Sequence, residues 1–101
     1  MNIVYIALGS NQNNPVCHIL KGMKQINQLN HTHIIKKSSL YSSKPLGPKN
    51  QPDYINAVIK IQTALEPEEL LNSLQKIEDI HHRQRIKKWG PRTLDLDILI
   101  Y

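Results

Sequence analysis

The order of hydrophobic patterns predicts an α+β fold. It is a ferredoxin-like βαββαβ sandwich, with an antiparallel sheet and both helices on one face. Three observations point there. Four segments read as strands and two carry apolar residues at helical spacing. They follow one another as strand, helix, strand, strand, helix, strand. The last two strands each offer one apolar face, which two helices can cover while the opposite face stays polar.

Ile3 to Leu8 is apolar on both faces, as expected of a central strand. Gly9-Ser10-Asn11 reads as a tight exit, a plain turn on these residues alone. Asn14-Pro15 opens the first helix, Asn as cap and Pro in the first turn, where its missing N–H costs nothing. Val16, Ile19, Leu20, Met23 and Ile26 form its core stripe, with Leu29 near the end. His31 and His33 have no third ligand nearby and read as surface residues. Ile34 to Tyr41 is the second strand. The long loop after it, Ser42 to Gln51, holds Lys44-Pro45-Leu46-Gly47-Pro48 and so has defined bends. Pro52 to Thr63 is the third strand. Ile55, Ala57, Ile59 and Ile61 lie on its apolar face, and Tyr54 and Asn56 on the other. Glu66-Pro67-Glu68-Glu69 starts the second helix, with acids at its positive end. Leu70, Leu71, Leu74 and Ile77 face the core, while Gln75 and Glu78 share another side. His81-His82 ends that helix, where contact with the negative helix end accounts for them. Thr93 to Tyr101 is the last strand. Leu94, Leu96, Ile98 and Ile100 point one way, and Thr93, Asp95 and Asp97 the other.

Composition narrows the class. The chain has 101 residues, 40% of them hydrophobic, which suits one small domain with its own core. Its formal charge of +5 comes from 13 Lys and Arg against 8 Asp and Glu. Residues 83–92 hold five of those cations (Arg83, Arg85, Lys87, Lys88 and Arg92) and no acid, leaving eight of each sign elsewhere. The excess is therefore one local patch, suited to a bound polyanion. A single cysteine, Cys17, excludes an internal disulfide and fits a reducing compartment. With no signal peptide and no apolar run of membrane-spanning length, a cytoplasmic protein is expected. No membrane partner is expected, and a monomer is.

Beside the basic patch stands Asp95-Leu96-Asp97. On a strand, both carboxylates fall on one face, their Cα atoms roughly 6.6 Å apart at about 3.3 Å per residue. That spacing lets them converge on one Mg²⁺ or share two ions about 3.5–4 Å apart. Metal-binding carboxylates next to a cationic loop are what a polyphosphate needs. Tyr54 and Asn56 add an aromatic plane and an amide to the same predicted face, which suits a heterocycle: stacking on the ring and hydrogen bonds to its edge.

Four segments then match a known family in order along the whole chain. They are Tyr5-Ile6-Ala7-Leu8-Gly9-Ser10-Asn11, Pro45-Leu46-Gly47-Pro48, Gln51-Pro52-Asp53-Tyr54-Ile55-Asn56-Ala57 and Trp89-Gly90-Pro91-Arg92-Thr93-Leu94-Asp95-Leu96-Asp97-Ile98. The chain resembles the 6-hydroxymethyl-7,8-dihydropterin pyrophosphokinases of folate biosynthesis. The resemblance implies transfer of pyrophosphate from ATP to the pterin hydroxymethyl group, releasing AMP. It implies that Asp95 and Asp97 bind two Mg²⁺ ions on the triphosphate, with Arg83 and Arg92 as the catalytic arginines. It puts Ser43, Pro45, Leu46, Tyr54, Asn56 and Trp89 on the pterin, Tyr54 stacking, Asn56 reading the edge and Trp89 in a closing loop. It puts Gln75, Glu78, Arg85, Lys88 and Ile98 on the ATP side.

The chain departs from the family pattern in three places. It ends at Tyr101, where family members continue for another third of their length. Its 101 residues are thus expected to form a single pyrophosphokinase-like domain lacking the C-terminal segment. Leu99 and Tyr101, on the polar-facing side, would then lack their usual cover, and catalysis would be impaired. His82 stands where relatives usually have Gly, and Lys88 where many have Arg, keeping the charge but losing the planar fork. Two alternatives remain: a truncated ATP- or pterin-binding fragment without catalysis, and a small RNA-binding module. Against RNA stand the absence of Phe and the two acids beside the basic patch, so no nucleic-acid partner is expected.

Overall fold

The computed structural model describes residues 1–12, 14–44, 52–82 and 93–101. Its elements are β1 (Asn2–Ser10), α1 (Pro15–Asn27), β2 (Thr32–Lys37), β3 (Tyr41–Ser43), β4 (Tyr54–Thr63), α2 (Pro67–His82) and β5 (Asp95–Ile100). The sheet runs β2-β4-β1-β5, with β3 also on β4, and every pairing is antiparallel. Helix α1 thus crosses over β4 to join β1 to β2, and α2 crosses over β1 to join β4 to β5. These are the two split βαβ units of the predicted ferredoxin-like α+β fold.

Both helices pack on one sheet face. Val4, Ile6 and Leu8 of β1, Ala57, Ile59 and Ile61 of β4, and Leu94 and Leu96 at β5 meet Ile19, Met23 and Ile26 of α1 and Leu70, Leu74 and Ile77 of α2. Central β1 is therefore covered on one side among the described residues. Ile3 is 41% exposed, and Tyr5 and Ala7 are half-buried, which corrects the expectation of a strand buried on both faces. The helix stripes are also narrower than predicted. Val16, Leu20 and Leu71 lie at the margins, exposed, because flat packing on a sheet uses only the row closest to it. In α1 that row includes Gly22. A Cβ there would stand 3.1 Å from Leu94 Cδ2 and 3.5 Å from Leu8 Cδ2, so glycine lets the helix lie close over the start of β5. Gly22→Leu should therefore overpack this contact and cost about 1–3 kcal/mol, read as a lowered midpoint in chemical denaturation.

Helix entry differs as well. Asn14 sits in the left-handed region (φ 63°, ψ 70°) and makes no side-chain cap; its carbonyl accepts from His18 N at 3.2 Å. At α2 the cap is stronger: Glu69 Oε1 accepts the Glu66 N–H at 3.1 Å, half of a capping box.

The predicted second strand is two strands. A register shift between Ile34 and Lys36 is followed at Ser38 by a local substitution of hydrogen bonds. Ser38 N donates to Val58 O (2.8 Å), and Ser38 Oγ, rather than a carbonyl, accepts from Val58 N (2.9 Å). A serine hydroxyl competing with the backbone ends β2 there. The chain rejoins β4 as β3, with Tyr41 opposite Asn56. In β5 the pairing slips between Ile6↔Ile98 and Tyr5↔Ile100. Ile100 is thereby moved off the helix face and is 63% exposed, against the predicted alternation. Tyr101 reaches back to the start of α2, its hydroxyl donating to Leu65 O and accepting from Asn2 Nδ2 at 3.1 Å. Leu99 is exposed. No helix among the described residues is long and apolar enough to cross a membrane.

Candidate functional site

Directly paired residues of an antiparallel ladder point to the same face. The register therefore lays out the uncovered face as rows. One row runs Tyr41, Asn56, Gly9, Asp95 across β3, β4, β1 and β5. The next runs Val58, Ala7, Asp97. Tyr54 shares the face with Asn56, opposite Ser43. An aromatic, an amide and two carboxylates thus stand on one surface, floored by the two smallest side-chain positions of β1. Two rows beyond the first, Lys60 Nζ lies 5.8 Å from the centroid of the Tyr5 ring.

Asn56 is held from one side. Its Nδ2 donates to Ser43 Oγ at 2.8 Å and to Tyr41 O at 3.4 Å, so β3 fixes the amide. Its Oδ1 faces the space over Gly9, 3.4 Å from where a Cβ would be. Asp95 is half-buried and Asp97 exposed. Among the described residues no group of three or more His, Cys, Asp and Glu could hold a metal ion. The two Asp carboxylates alone suit a hard cation that takes one or two protein oxygens and fills its shell with phosphate and water.

The outer edge of β5 is served by α2. Glu78 Oε2 accepts the Leu96 N–H at 2.8 Å, and four residues on, His82 Nε2 donates to Leu94 O at 2.6 Å. Two side chains one turn apart thereby satisfy the strand on either side of Asp95. Burial raises the Glu78 pKa above the ordinary carboxylate value; the Leu96 N–H opposes this and the charges of Asp95 and Asp97 add to it. Gln75 is exposed on α2. Ile98 lies opposite Ile6 and packs against the core, on the helix face of β5. Pro45, Leu46, Arg83, Arg85, Lys88, Trp89 and Arg92 lie outside the described residues.

His81 corrects the helix-end reading. It is buried, with Nδ1 2.7 Å from His18 Nδ1 and Nε2 2.6 Å from Gln25 Oε1. An amide oxygen only accepts, so Nε2 carries the proton and unprotonated Nδ1 accepts from His18. Burial, with His18, Lys21 and His82 near it, lowers its pKa to about 4. A neutral ring at ordinary pH does not act as a cation on the helix dipole; it joins α2 to α1.

The tight turn expected at Gly9-Ser10-Asn11 is corrected: β1 continues through Ser10, and Ser10 and Asn11 are both buried. Ser10 Oγ donates to Thr93 O and Asn11 Nδ2 to Pro52 O at 3.2 Å, so the end of β1 ties down the entries to both β5 and β4. Thr93 is accordingly buried ahead of the strand, where alternation put it on the polar face. The signal was present: Ser10 continues the inward series Val4, Ile6, Leu8, and a polar residue in a core position must have a partner.

Comparison with known proteins accords with this arrangement. The family model described as 7,8-dihydro-6-hydroxymethylpterin-pyrophosphokinase matches residues 5–101. The chain is 56% identical over its whole length to the 2-amino-4-hydroxy-6-hydroxymethyldihydropteridine pyrophosphokinase of Haemophilus influenzae, and 46% identical over 97% of its length to that of Pseudomonas aeruginosa. It spans 63% and 60% of those two relatives. It is also 45% identical, over 97% of its length, to part of the folic acid synthesis protein fol1 of Pneumocystis carinii, of which it spans 13%. The chain belongs to the 7,8-dihydro-6-hydroxymethylpterin-pyrophosphokinase family.

Proposed function

We propose that this protein transfers pyrophosphate from ATP to the hydroxymethyl group of 6-hydroxymethyl-7,8-dihydropterin, as a cytoplasmic, monomeric enzyme of folate biosynthesis. Residues 1–101 form one domain of it. The observation that carries the reading is the row Asn56, Gly9, Asp95, with Asp97 one row on. It puts an amide suited to a heterocycle edge and a carboxylate suited to a cation on one face, two strands apart, in a chain of this family.

In the reaction, the hydroxymethyl oxygen forms a bond to the β-phosphorus. The bond from that phosphorus to the oxygen shared with the α-phosphate breaks, AMP leaves, and the hydroxyl proton passes to solvent. Asp95 and Asp97 would hold Mg²⁺, which when bound neutralises triphosphate charge and lowers the hydroxyl pKa. Tyr54 stacks on the pterin. Asn56, fixed by Ser43 and Tyr41, presents Oδ1 to the ring edge. Glu78, with Leu96 N already on one oxygen, keeps β5 in place beside the nucleotide. Pro45, Leu46 and Trp89 complete the pterin side, and Gln75, Arg85, Lys88 and Ile98 the ATP side. Arg83 and Arg92 stabilise charge during transfer; a positioned arginine contributes about 10³–10⁵ in rate in related chemistry.

The test is AMP release from ATP. AMP should accumulate when the hydroxymethyl pterin and Mg²⁺ are both present, and stop when EDTA is added. Pterin and ATP binding without AMP would overturn transfer. Salt-sensitive RNA binding that ignores EDTA would overturn the whole reading.

A further inference from the structure

We propose that Gly9 is a specificity-determining residue: its missing side chain leaves the gap in which the pterin ring lies between Asn56 and Asp95. This inference rests on the proposed function and deepens it.

Glycine within a strand costs stability relative to a residue with a side chain. That cost is usually explained by a turn, a bulge or a left-handed backbone. None applies at Gly9. Its φ lies outside the left-handed region, and its pairings on both sides belong to regular stretches, Gly9↔Asn56 beside Leu8↔Ala57 and Gly9↔Asp95 beside Leu8↔Leu96. The remaining reason for glycine inside a strand is close approach by another group.

The geometry says where that group would lie. A side chain at Gly9 would rise from the uncovered face, since its neighbours Leu8 and Ser10 are buried on the helix side. Its Cβ would stand 3.4 Å from Asn56 Oδ1 and 3.8 Å from the Tyr54 ring. Those are ordinary contacts, so the protein itself has room for a methyl group. What a methyl group displaces is a ligand against Asn56 and Tyr54. With adjacent strands about 4.8 Å apart, β4 and β5 stand roughly 10 Å apart across β1. A flat bicyclic ring with a one-carbon arm spans that gap only if the middle position is empty. Its edge then meets Asn56 while its arm points at Asp95 and Asp97.

Gly9→Ala and Gly9→Val should fold, with thermal midpoints equal to or above that of the unsubstituted protein. By calorimetry, Gly9→Ala should weaken binding of the hydroxymethyl pterin by about 10-fold and Gly9→Val by about 100-fold, the scale on which a small steric change discriminates ligands. Affinity for ATP with Mg²⁺ should not move, and in turnover the pterin KM should rise while the ATP KM holds. Should Gly9→Val fail to fold, Gly9→Ala decides. Wild-type pterin affinity in a folded Gly9 variant would overturn the role of Gly9 and leave the proposed function standing. No pterin binding by the unsubstituted protein, with nucleotide binding intact, would overturn the proposed function and this inference with it.

Discussion

Asp95→Ala should abolish Mg²⁺-dependent nucleotide binding while the protein stays folded. Asp95 is half-buried and lies opposite Gly9, so no side chain across the ladder packs on it from β1. The pairing of β5 with β1 is made by main-chain bonds that alanine keeps. The loss falls on the charge. With one carboxylate gone, the proposed cation site would keep only Asp97, itself exposed. Removing a preorganised charge from such a centre costs on the order of 10²–10³ in turnover. Calorimetric titration of ATP with and without Mg²⁺, alongside a thermal melt, separates the two effects. Unchanged affinity in a folded Asp95→Ala protein would mean that these acids do not hold the ion.

Acid should loosen the contact between the two helices. The His81 pKa is lowered from 6.5 to about 4, so the native state favours the neutral ring. A group with a depressed native pKa contributes stability that is fully present above its unfolded value. That contribution is lost as pH falls through the native value. The window is therefore about pH 6.5 down to about 4. At about 1.4 kcal/mol per pKa unit the shift is worth about 3.5 kcal/mol, which solvent screening brings to the order of 2–3 kcal/mol. The structural cause is visible: protonating Nδ1 sets two N–H groups of His18 and His81 against each other across 2.7 Å. Glu78 works the other way. Its raised pKa contributes stability present below 4.5 and lost as pH rises through its native value. Urea denaturation at intervals between pH 7 and 4 should show the slope, and His81→Gln should flatten it whatever its effect at pH 7. An identical slope in that variant would exonerate His81.

Much of this was legible before any coordinates. Period-two alternation at Ile55, Ala57, Ile59 and Ile61 and at Leu94 and Leu96 named the covered face, and so put Tyr54, Asn56, Asp95 and Asp97 together on the other. Alternation is a local property and survives folding. What pattern could not show was partnership. Ser38 ends a strand because its hydroxyl finds Val58, and nothing near Ser38 in the sequence announces Val58. His81 looked like a helix-end cation because His18 is 63 residues away in the chain. Val16, Leu20 and Leu71 looked like core because hydrophobicity does not say how wide a strip of helix a flat sheet can cover. Gly9 looked like part of a turn because a missing side chain carries meaning only once its neighbours across two strands are known.

The pairing of Ile6 with Ile98 has a kinetic consequence. One flank of the central strand gains its neighbour only when a segment 92 residues further along the chain returns to it. Closing so long a loop costs entropy before any contact is gained, which places the molecule among slower-folding topologies. During synthesis the first strand would emerge with an unpaired edge, the kind that attracts other chains. That edge stays open to aggregation until the strand bearing both aspartates has left the ribosome.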